Sequence, residues 1–263
     1  MFAIHLAWSN LVILTGFMIV VWLVSVKLKD ASIVDRVWGL TFFIQMAYYT
    51  YASPFSWRAT IVLSLVGLWG LRLSWHIQTR NQKHGEDYRY QALRKKTGPK
   101  FWIVSLFSVF LLQAGLSFVV GLPMLLIASE SSETSLGMFD YLGIGIWICG
   151  FLFEAIADLQ LRKFKSDPGN KGKLLTTGLW SLTRHPNYFG DALLWWGIFV
   201  ISLSLPYSYF GVIGPVVMTF FLTKVTGVTL LEKDLIKKKP DYKEYILSTP
   251  AFIPKISKLW KRA

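Results

Sequence analysis

The sequence is poor in charged residues and almost without cysteine. Charged residues make up 16% of its 263 residues, whereas a soluble globular domain carries about 25%. This deficit leaves too few charges to cover a water-facing surface. The single cysteine, Cys149, excludes a disulfide scaffold. The apolar content of 53% excludes intrinsic disorder.

Two further absences narrow the class of protein. No G-x-G-x-x-G segment follows a plausible strand, which argues against a soluble dinucleotide-binding domain. No tandem repeat, low-complexity tract or linker divides the chain, so we predict one polytopic domain over residues 1–263. Gly143 and Gly145 lie inside a predicted helix, where we interpret both as helix-packing residues.

Long apolar runs are the main feature that the sequence does contain. A helix that crosses a bilayer needs about 20 mostly apolar residues. Seven stretches approach or exceed that length: 6–26, 37–52, 59–77, 102–128, 138–161, 188–205 and 209–231. We therefore predict an all-α integral membrane bundle of seven transmembrane helices.

The basic residues lie on one side of this predicted bundle. The formal net charge is +13, and 25 of the 28 Lys and Arg residues fall in alternate connecting segments or in the C-terminal tail. The segment 129–137, on the other side, carries Glu130 and Glu133 and no base. The positive-inside rule then places the N-terminus outside and the C-terminus in the cytoplasm. We interpret the charge as a topology signal and a phosphate-attracting face, and we expect no nucleic-acid partner.

Ionisable residues interrupt the apolar stretches, where each charge costs about 2.5–3.5 kcal/mol on insertion scales. The spacing of Glu154, Asp158 and Arg162 puts all three on one helix face. That row is either an intrahelical ion ladder or a polar wall for a cofactor. The other ionisable residues of this kind are Asp35, Arg72, His76, Asp191, Lys224 and Glu232.

The densest polar motif is LWSLTRHPNYFGD, at residues 179–191. Pro186 suits the first turn of a helix, where its missing N–H costs nothing. The free amide groups at that helix start would form an anion site at the membrane surface. Arg184 adds a planar fork suited to phosphate, and His185 and Asn187 add hydrogen-bonding groups. The alternative is an ordinary helix start with an interfacial Arg and aromatic residues.

This motif resembles the C-terminal signature of membrane steroid reductases, which include the steroid 5α-reductases and the sterol Δ14- and Δ7-reductases. Other segments are similar to the bacterial 5α-reductase-like group: DRVWG at 35–39, RLSWH at 72–76, EDYRY at 86–90, and a tail with Glu232, Tyr242, Tyr245 and PAFIP at 250–254. The resemblance covers almost the whole chain. It implies a multi-pass protein of the bacterial inner membrane.

The same resemblance implies NADPH-dependent reduction of a carbon–carbon double bond conjugated to a ketone, as in a Δ4-3-oxosteroid. NADPH would enter from the cytoplasm and lie inside the helix bundle, with most of its site in residues 138–254. The lipophilic substrate would enter from the bilayer, among membrane lipids. We expect a monomer and predict no metal site.

The implied cofactor ligands come mainly from the motif and the fifth predicted span. Asn187 is implied to bond the nicotinamide amide or the adjacent ribose, with Asp191 in support. Asp158 and Arg162 match an Asp-x-x-x-Arg element that is implied to contact ribose and phosphate. The remaining implied ligands are basic residues and residues of the motif itself: Arg80, Arg89, Lys165, Lys173, Arg184, His185 and Tyr188.

The catalytic residues follow less directly. In the steroid 5α-reductases a Glu and a Tyr bind the 3-keto oxygen and stabilise the charge that builds there. Asp35 falls where that Glu is expected, and a carboxyl in apolar surroundings could stay protonated and donate a hydrogen bond. The matching Tyr is either Tyr48 or Tyr49, or no Tyr is used. The competing interpretation of Asp35 is an ion pair with Arg36 or Lys29.

Two other functions compete with the reductase. Isoprenylcysteine and phospholipid methyltransferases share an Arg-His-Pro-x-Tyr-x-Gly segment but bind S-adenosylmethionine, and they usually carry a Glu-Glu pair where this chain has Glu232 followed by Lys233. A transporter or receptor for a hydrophobic ligand would use the buried acids as relay or gating groups. A transporter would also be expected to show matching halves, and the sequence has no clear internal symmetry.

Overall fold

The computed structural model describes residues 1–81, 85–129, 135–225, 227–239 and 241–255, so that Glu130 and Glu133 lie outside the described residues. Within those ranges the chain is helical and contains no β-strand. The α-helices are α1 (Phe2–Leu28), α2 (Ile33–Ala52), α3 (Trp57–Asn81), α4 (Tyr88–Thr97), α5 (Phe101–Ser105), α6 (Leu112–Val120), α7 (Leu122–Ser129), α8 (Met138–Ser166), α9 (Pro186–Ser202), α10 (Ile213–Phe220), α11 (Val228–Lys238) and α12 (Tyr242–Ser248). The predicted all-α class is therefore confirmed for the described residues.

Five helical stretches in the described part of the chain are long and apolar enough to cross a membrane: Phe2–Leu28, Trp57–Arg80, Tyr88–Val120, Met138–Ser166 and Ser208–Val225. They support a multi-pass membrane protein. The predicted second and sixth spans, α2 and α9, are not among them. α9 has 17 residues, about 26 Å at 1.5 Å per residue, against a hydrocarbon core of about 30 Å. Seven spans and the orientation remain predictions.

The first helix shows how these helices divide between protein and lipid. The buried residues of α1 recur every three or four positions and form one face: Leu6, Asn10, Leu14, Met18, Val21 and Ser25. The rest of α1 is also apolar, with Trp8, Val12 and Val20 more than half exposed. A helix that is hydrophobic all round suits a membrane, because lipid and protein core are both apolar environments.

Contacts within the chain cluster in two compact units. Unit 1 comprises Met1–Gly137 with Ser202–Ile213, and unit 2 comprises Met138–Ile201 with Gly214–Ala263. Unit 1 therefore holds α1 to α7, and unit 2 holds most of α8 to α12. The expectation of one continuous domain over residues 1–263 stays a prediction.

Close backbone contact between α2 and α3 organises unit 1. A Cβ on Gly39 would lie 2.7 Å from the carbonyl oxygen of Gly70, and a Cβ on Gly70 would lie 2.5 Å from that of Gly39. Only glycine allows two helices to approach this closely. The contact fixes the start of α2, where Asp35 lies, against α3.

In unit 2, glycines allow the same close backbone contact between α8 and α9. A Cβ on Gly150 would lie 2.5 Å from the backbone nitrogen of Leu194, and one on Gly143 would lie 2.6 Å from the carbonyl oxygen of Gly197. The predicted packing role of Gly143 is confirmed. That of Gly145 is wrong, because nothing lies within 4 Å of the position its Cβ would take. The close approach brings the start of α9 against the middle of α8.

Candidate functional site

The motif predicted from residues 179–191 folds as a short turn that leads into α9. Gly178 has a φ of 61°, and the 3₁₀ turn Gly178–Ser181 packs on α8. There the backbone N–H of Leu179 donates to Gln160 Oε1 at 3.1 Å, and Trp180 Nε1 donates to the carbonyl of Ala157 at 3.1 Å. α9 then begins at Pro186, as its sequence position predicted.

Arg184, which is buried, and Glu232, which is partly buried, form a bidentate ion pair in unit 2. Arg184 Nε lies 2.7 Å from Glu232 Oε1, and Nη2 lies 3.0 Å from Oε2. His185 Nε2 reaches the same carboxylate, at 3.0 Å from Oε1. Burial alone would raise the pKa of Glu232, but hydrogen bonds from His185 and Arg184, with their charges, outweigh burial and lower it to about 2. The pKa of Arg184 is raised, because its bonds to Glu232 outweigh its own burial.

The segment after α12 is hydrogen-bonded to this turn. The backbone N–H of Arg184 donates to the carbonyl of Pro250 at 2.9 Å. The Thr183 hydroxyl contacts the carbonyls of Ala251 and Phe252 at 3.1 and 2.9 Å. Arg184 Nη1 also donates to the carbonyl of Thr249. Arg184 thus joins the motif to the tail, and its predicted contact with a cofactor phosphate stays a prediction.

The tail tyrosines lie on the same side of the motif. The Tyr245 hydroxyl donates to the carbonyl of Trp180. Burial raises the pKa of Tyr242, and the charge of Glu232 raises it further. Burial also raises the pKa of Tyr245, so both hydroxyls stay protonated at neutral pH. The two rings pack edge to face with centroids 5.9 Å apart.

Asn187 and Asp158 come together across α9 and α8. Asn187 Nδ2 donates to Asp158 Oδ1 at 3.2 Å. Asp158 is 6% exposed, and Asp191, one turn further along α9, is 9% exposed. The ring of Tyr188 stacks on His185 with centroids 5.6 Å apart. The structure therefore brings together an amide, a carboxylate and the motif aromatics in one unit.

The other predicted cofactor ligands of unit 2 are exposed. Arg162 lies one turn after Asp158 on α8, and Lys165 follows close to the end of that helix. Lys173 lies in the connection to the Gly178–Ser181 turn, where its carbonyl accepts from Lys239 Nζ at 2.5 Å. These three side chains can reach an anion in solvent, and their cofactor roles stay predictions.

Asp35 has two partners on α4, within unit 1. Arg89 Nη2 donates to Asp35 Oδ2 at 2.6 Å, and the Tyr90 hydroxyl donates to Oδ1 at 2.7 Å. Arg89 Nε also bonds Asp87, the N-cap of α4, at 2.9 Å. Burial would raise the pKa of Asp87, but hydrogen bonds from Arg89 and the charges of Arg89 and Arg80 lower it. We refer to Asp35, Arg89 and Tyr90 as the carboxylate–tyrosine group.

This arrangement differs from the predicted surroundings of Asp35. The ion-pair partner is Arg89, whereas Arg36 pairs with Asp30 at 2.8 Å. Arg89 thus has two carboxylate partners, and its predicted contact with a cofactor phosphate stays a prediction. Tyr48 and Tyr49 do not accompany Asp35, because they lie 13 and 14 residues further along α2, about 20 Å at 1.5 Å per residue.

Tyr49 of α2 bonds a residue of α1, not Asp35. Asn10 Nδ2 donates to the Tyr49 hydroxyl oxygen at 2.8 Å and to Gln45 Oε1 at 3.2 Å. Asn10 and Gln45 are fully buried, and Tyr49 is 1% exposed. Tyr48 is partly buried and lies beside Tyr49. These contacts give Tyr49 a structural task in the core of unit 1, while its predicted catalytic role stays untested.

Tyr90 and Glu232 belong to motifs of the sequence, but neither was predicted to be a site residue. Tyr90 ends the EDYRY segment. The sequence feature that could have indicated it is the pair Arg89-Tyr90 shortly after Asp87, a residue type that caps helices. Glu232 belonged to the tail pattern, and its signal was an acid placed directly after the apolar pair Leu230-Leu231. Their partners, Asp35 and Arg184, lie 55 and 48 residues away in the chain.

The known proteins similar to this chain include one that is uncharacterized and two that are named for an activity. An uncharacterized protein of Schizosaccharomyces pombe is 26% identical over 269 residues, covering 90% of this chain and 76% of its own length. Two shorter matches carry activity names. "Probable O-methyltransferase ustE" of Ustilaginoidea virens is 32% identical, and a very-long-chain enoyl-CoA reductase of Dictyostelium discoideum is 31% identical.

Those two matches cover 31% and 28% of this chain, and the chain spans only about a quarter of each relative's length, 28% and 25%. No solved structure matches the chain at a significant level. A family model described as a protein of unknown function, DUF1295, matches residues 21–249. The chain therefore belongs to the DUF1295 family, a steroid 5α-reductase-like family of membrane proteins.

Proposed function

We propose that this protein is an NADPH-dependent reductase of the carbon–carbon double bond in a lipophilic enone, with a Δ4-3-oxosteroid as the model substrate. The observation that carries the proposal is the hydrogen bond from the Tyr90 hydroxyl to Asp35, at 2.7 Å. It pairs an acid and a tyrosine, the combination that the resemblance to steroid 5α-reductases implies for binding a ketone. Arg89 adds a second donor to the same carboxylate.

The carboxylate–tyrosine group suits a developing oxyanion. Asp35 accepts hydrogen bonds from Arg89 Nη2 and from the Tyr90 hydroxyl, and so positions both donors. When the enone enters, the single Tyr90 O–H would turn from Asp35 to the enone oxygen, and Arg89 would donate one of its further N–H groups there. Negative charge accumulates on that oxygen as hydride adds to the β-carbon. A proton from water at the α-carbon completes the reduction. In this scheme Asp35 is a positioning residue, and Tyr90 and Arg89 touch the substrate.

The residues of unit 2 fit NADPH by the chemistry of their groups. Asn187 and Asp158 offer an amide donor beside a carboxylate acceptor, which match a carboxamide and ribose hydroxyls. The exposed cations Arg162, Lys165 and Lys173 suit phosphates through charge-assisted hydrogen bonds. When bound, NADPH supplies the hydride. The match to an enoyl-CoA reductase over part of the chain supports a reduction of this type.

Methyl transfer is the second candidate, because an O-methyltransferase is among the relatives. A methyltransferase site must leave a group free to hold the sulfonium of S-adenosylmethionine. Glu232 is the acid that the sequence resemblance to membrane methyltransferases singles out, and it is already paired with Arg184 and His185. That pairing favours the reductase.

Two variants test the proposed substrate contact and the proposed cofactor contact separately. Tyr90→Phe should lower the rate of enone reduction roughly 10²–10³-fold, the usual loss for one oxyanion donor, while NADPH binding is unchanged. Asn187→Ala should weaken NADPH binding measured by cofactor fluorescence, by about tenfold. The control is Tyr51→Phe, because Tyr51 is 90% exposed at the other end of α2.

The results that would overturn the proposal are specific. Turnover in Tyr90→Phe at the rate of Tyr51→Phe would remove Tyr90 from the reaction. Normal NADPH binding and turnover in Asn187→Ala would remove the motif from the cofactor site. Saturable binding of S-adenosylmethionine by protein that does not oxidise NADPH would favour the methyltransferase.

A further inference from the structure

A groove of about 320 Å³ lies between α2 and α3, near the start of α2 and the end of α3. Its volume matches the lower end of small-molecule sites, about 300 Å³. Three polar residues and three apolar residues line it: Arg36, Ser74, Gln78, Leu40, Leu71 and Trp75. The groove is thus amphipathic, with one hydrogen-bonding part and one apolar part.

Two polar atoms in the lining residues have no hydrogen-bond partner within the protein. They are Arg36 Nε and Ser74 Oγ, and both atoms are buried. Arg36 Nη2 is held by Asp30 at 2.8 Å, which fixes the guanidinium while leaving Nε unpaired. A buried donor without an acceptor is costly, about 1–3 kcal/mol. An acceptor from outside the chain would therefore stabilise Arg36 Nε, and Ser74 Oγ can donate to the same group.

The apolar side of the groove is exposed on a candidate membrane span. Leu71 and Trp75 lie on α3, a candidate membrane span, and are 58% and 69% exposed. A Trp near the end of such a helix is typical of the level of the lipid headgroups. Arg72, His76 and Arg80 follow one another at four-residue spacing along the same helix and make this end of α3 basic.

We propose that this groove binds one anionic phospholipid. Its phosphate accepts hydrogen bonds from Arg36 and Ser74, and its first acyl carbons lie along Leu40, Leu71 and Trp75. The Arg36 guanidinium is already paired with Asp30, so the adjacent basic row supplies most of the preference for an anionic lipid over a zwitterionic one. The site is independent of the proposed reductase activity, since it involves neither the motif at 184–191 nor the carboxylate–tyrosine group.

Native mass spectrometry of the full chain, released from detergent with added lipid, tests this site. The probes are phosphatidylglycerol and phosphatidylcholine at equal concentration. Wild type should retain phosphatidylglycerol preferentially. Arg36→Gln should lower its apparent affinity about fivefold, the effect expected for one basic contact at a membrane surface. Ser74→Leu should also lower it, because the larger side chain removes a donor and occupies the groove. Ser74→Leu fills the groove without changing charge.

Ser64→Leu is the matched control, because Ser64 is an exposed residue of the same helix and bonds only the Thr60 carbonyl among the contacts found. It should bind phosphatidylglycerol as wild type does. Equal retention of the two lipids by wild type, or undiminished binding by Ser74→Leu, would overturn the proposal. If Arg36→Gln unfolds, Ser74→Leu against Ser64→Leu still decides the question.

Discussion

Removal of the Glu232 carboxylate tests the ion pair that joins the motif to the tail. The side chains of Arg184 and Glu232 are 7% and 16% exposed. A pKa lowered from 4.5 to about 2 in the folded protein corresponds to about 3 kcal/mol of stabilisation. Because the folded-state pKa is the lower one, that stabilisation is complete above about pH 4.5 and is lost as the pH falls towards 2.

We expect Glu232→Gln to lower the melting temperature at pH 7 by roughly 6–12 °C, at about 2–4 °C per kcal/mol for a chain of this size. The amide leaves the Arg184 guanidinium buried without a counter-charge. The variant should also lose part of the wild-type acid sensitivity between about pH 5 and pH 2. Tryptophan fluorescence during heating in detergent measures both effects.

Glu244→Gln is the control, since Glu244 is exposed on α12 and its amide should leave the melting temperature unchanged. The reasoning fails if the two variants melt together at pH 7. It also fails if Glu232→Gln keeps the full acid sensitivity of wild type.

Three further predictions concern packing and the buried polar groups. Gly190→Ala should abolish the folded peak in size-exclusion chromatography, because its Cβ would lie 2.5 Å from the carbonyl oxygen of Gly150, whereas Gly145→Ala should elute as wild type. Asn10→Leu should destabilise by about 1–3 kcal/mol in thermal melts, because it leaves Gln45 without one buried partner. Thr183→Val should speed proteolysis of the tail after α12, because the hydroxyl contacts two tail carbonyls, and an unchanged cleavage rate would contradict that role.

The sequence predicted local features well, because they depend on neighbouring residues. The α-helical class follows from apolar runs, and the start of α9 follows from a proline suited to a first helical turn. The four-residue spacing of Glu154 and Asp158 put both on one face of α8, and both are buried there. Local sequence could not distinguish two nearby glycines. Gly143 and Gly145 are each followed by Ile, but Gly143 contacts α9 and Gly145 faces away from it.

Partners distant in sequence could not be predicted. Tyr90 reaches Asp35 only because α4 packs beside the start of α2, and no periodicity within either segment encodes that contact. Glu232 reaches Arg184 in the same way. The fourth and seventh predicted spans contain π-helical turns, Leu106–Leu111 and Phe221–Val225, which apolar composition does not reveal. Such turns shift the faces of the residues that follow them.

The fate of a labelled hydride tests the proposed function most directly. Detergent-purified protein would be given a Δ4-3-oxosteroid with NADPH deuterated at the transferable position, and the steroid product would be analysed by mass spectrometry. The proposed reaction predicts that NADPH is consumed only when steroid is present and that one deuterium appears at the former β-carbon. Unreacted steroid and unchanged NADPH, with saturable binding of S-adenosylmethionine, would contradict it.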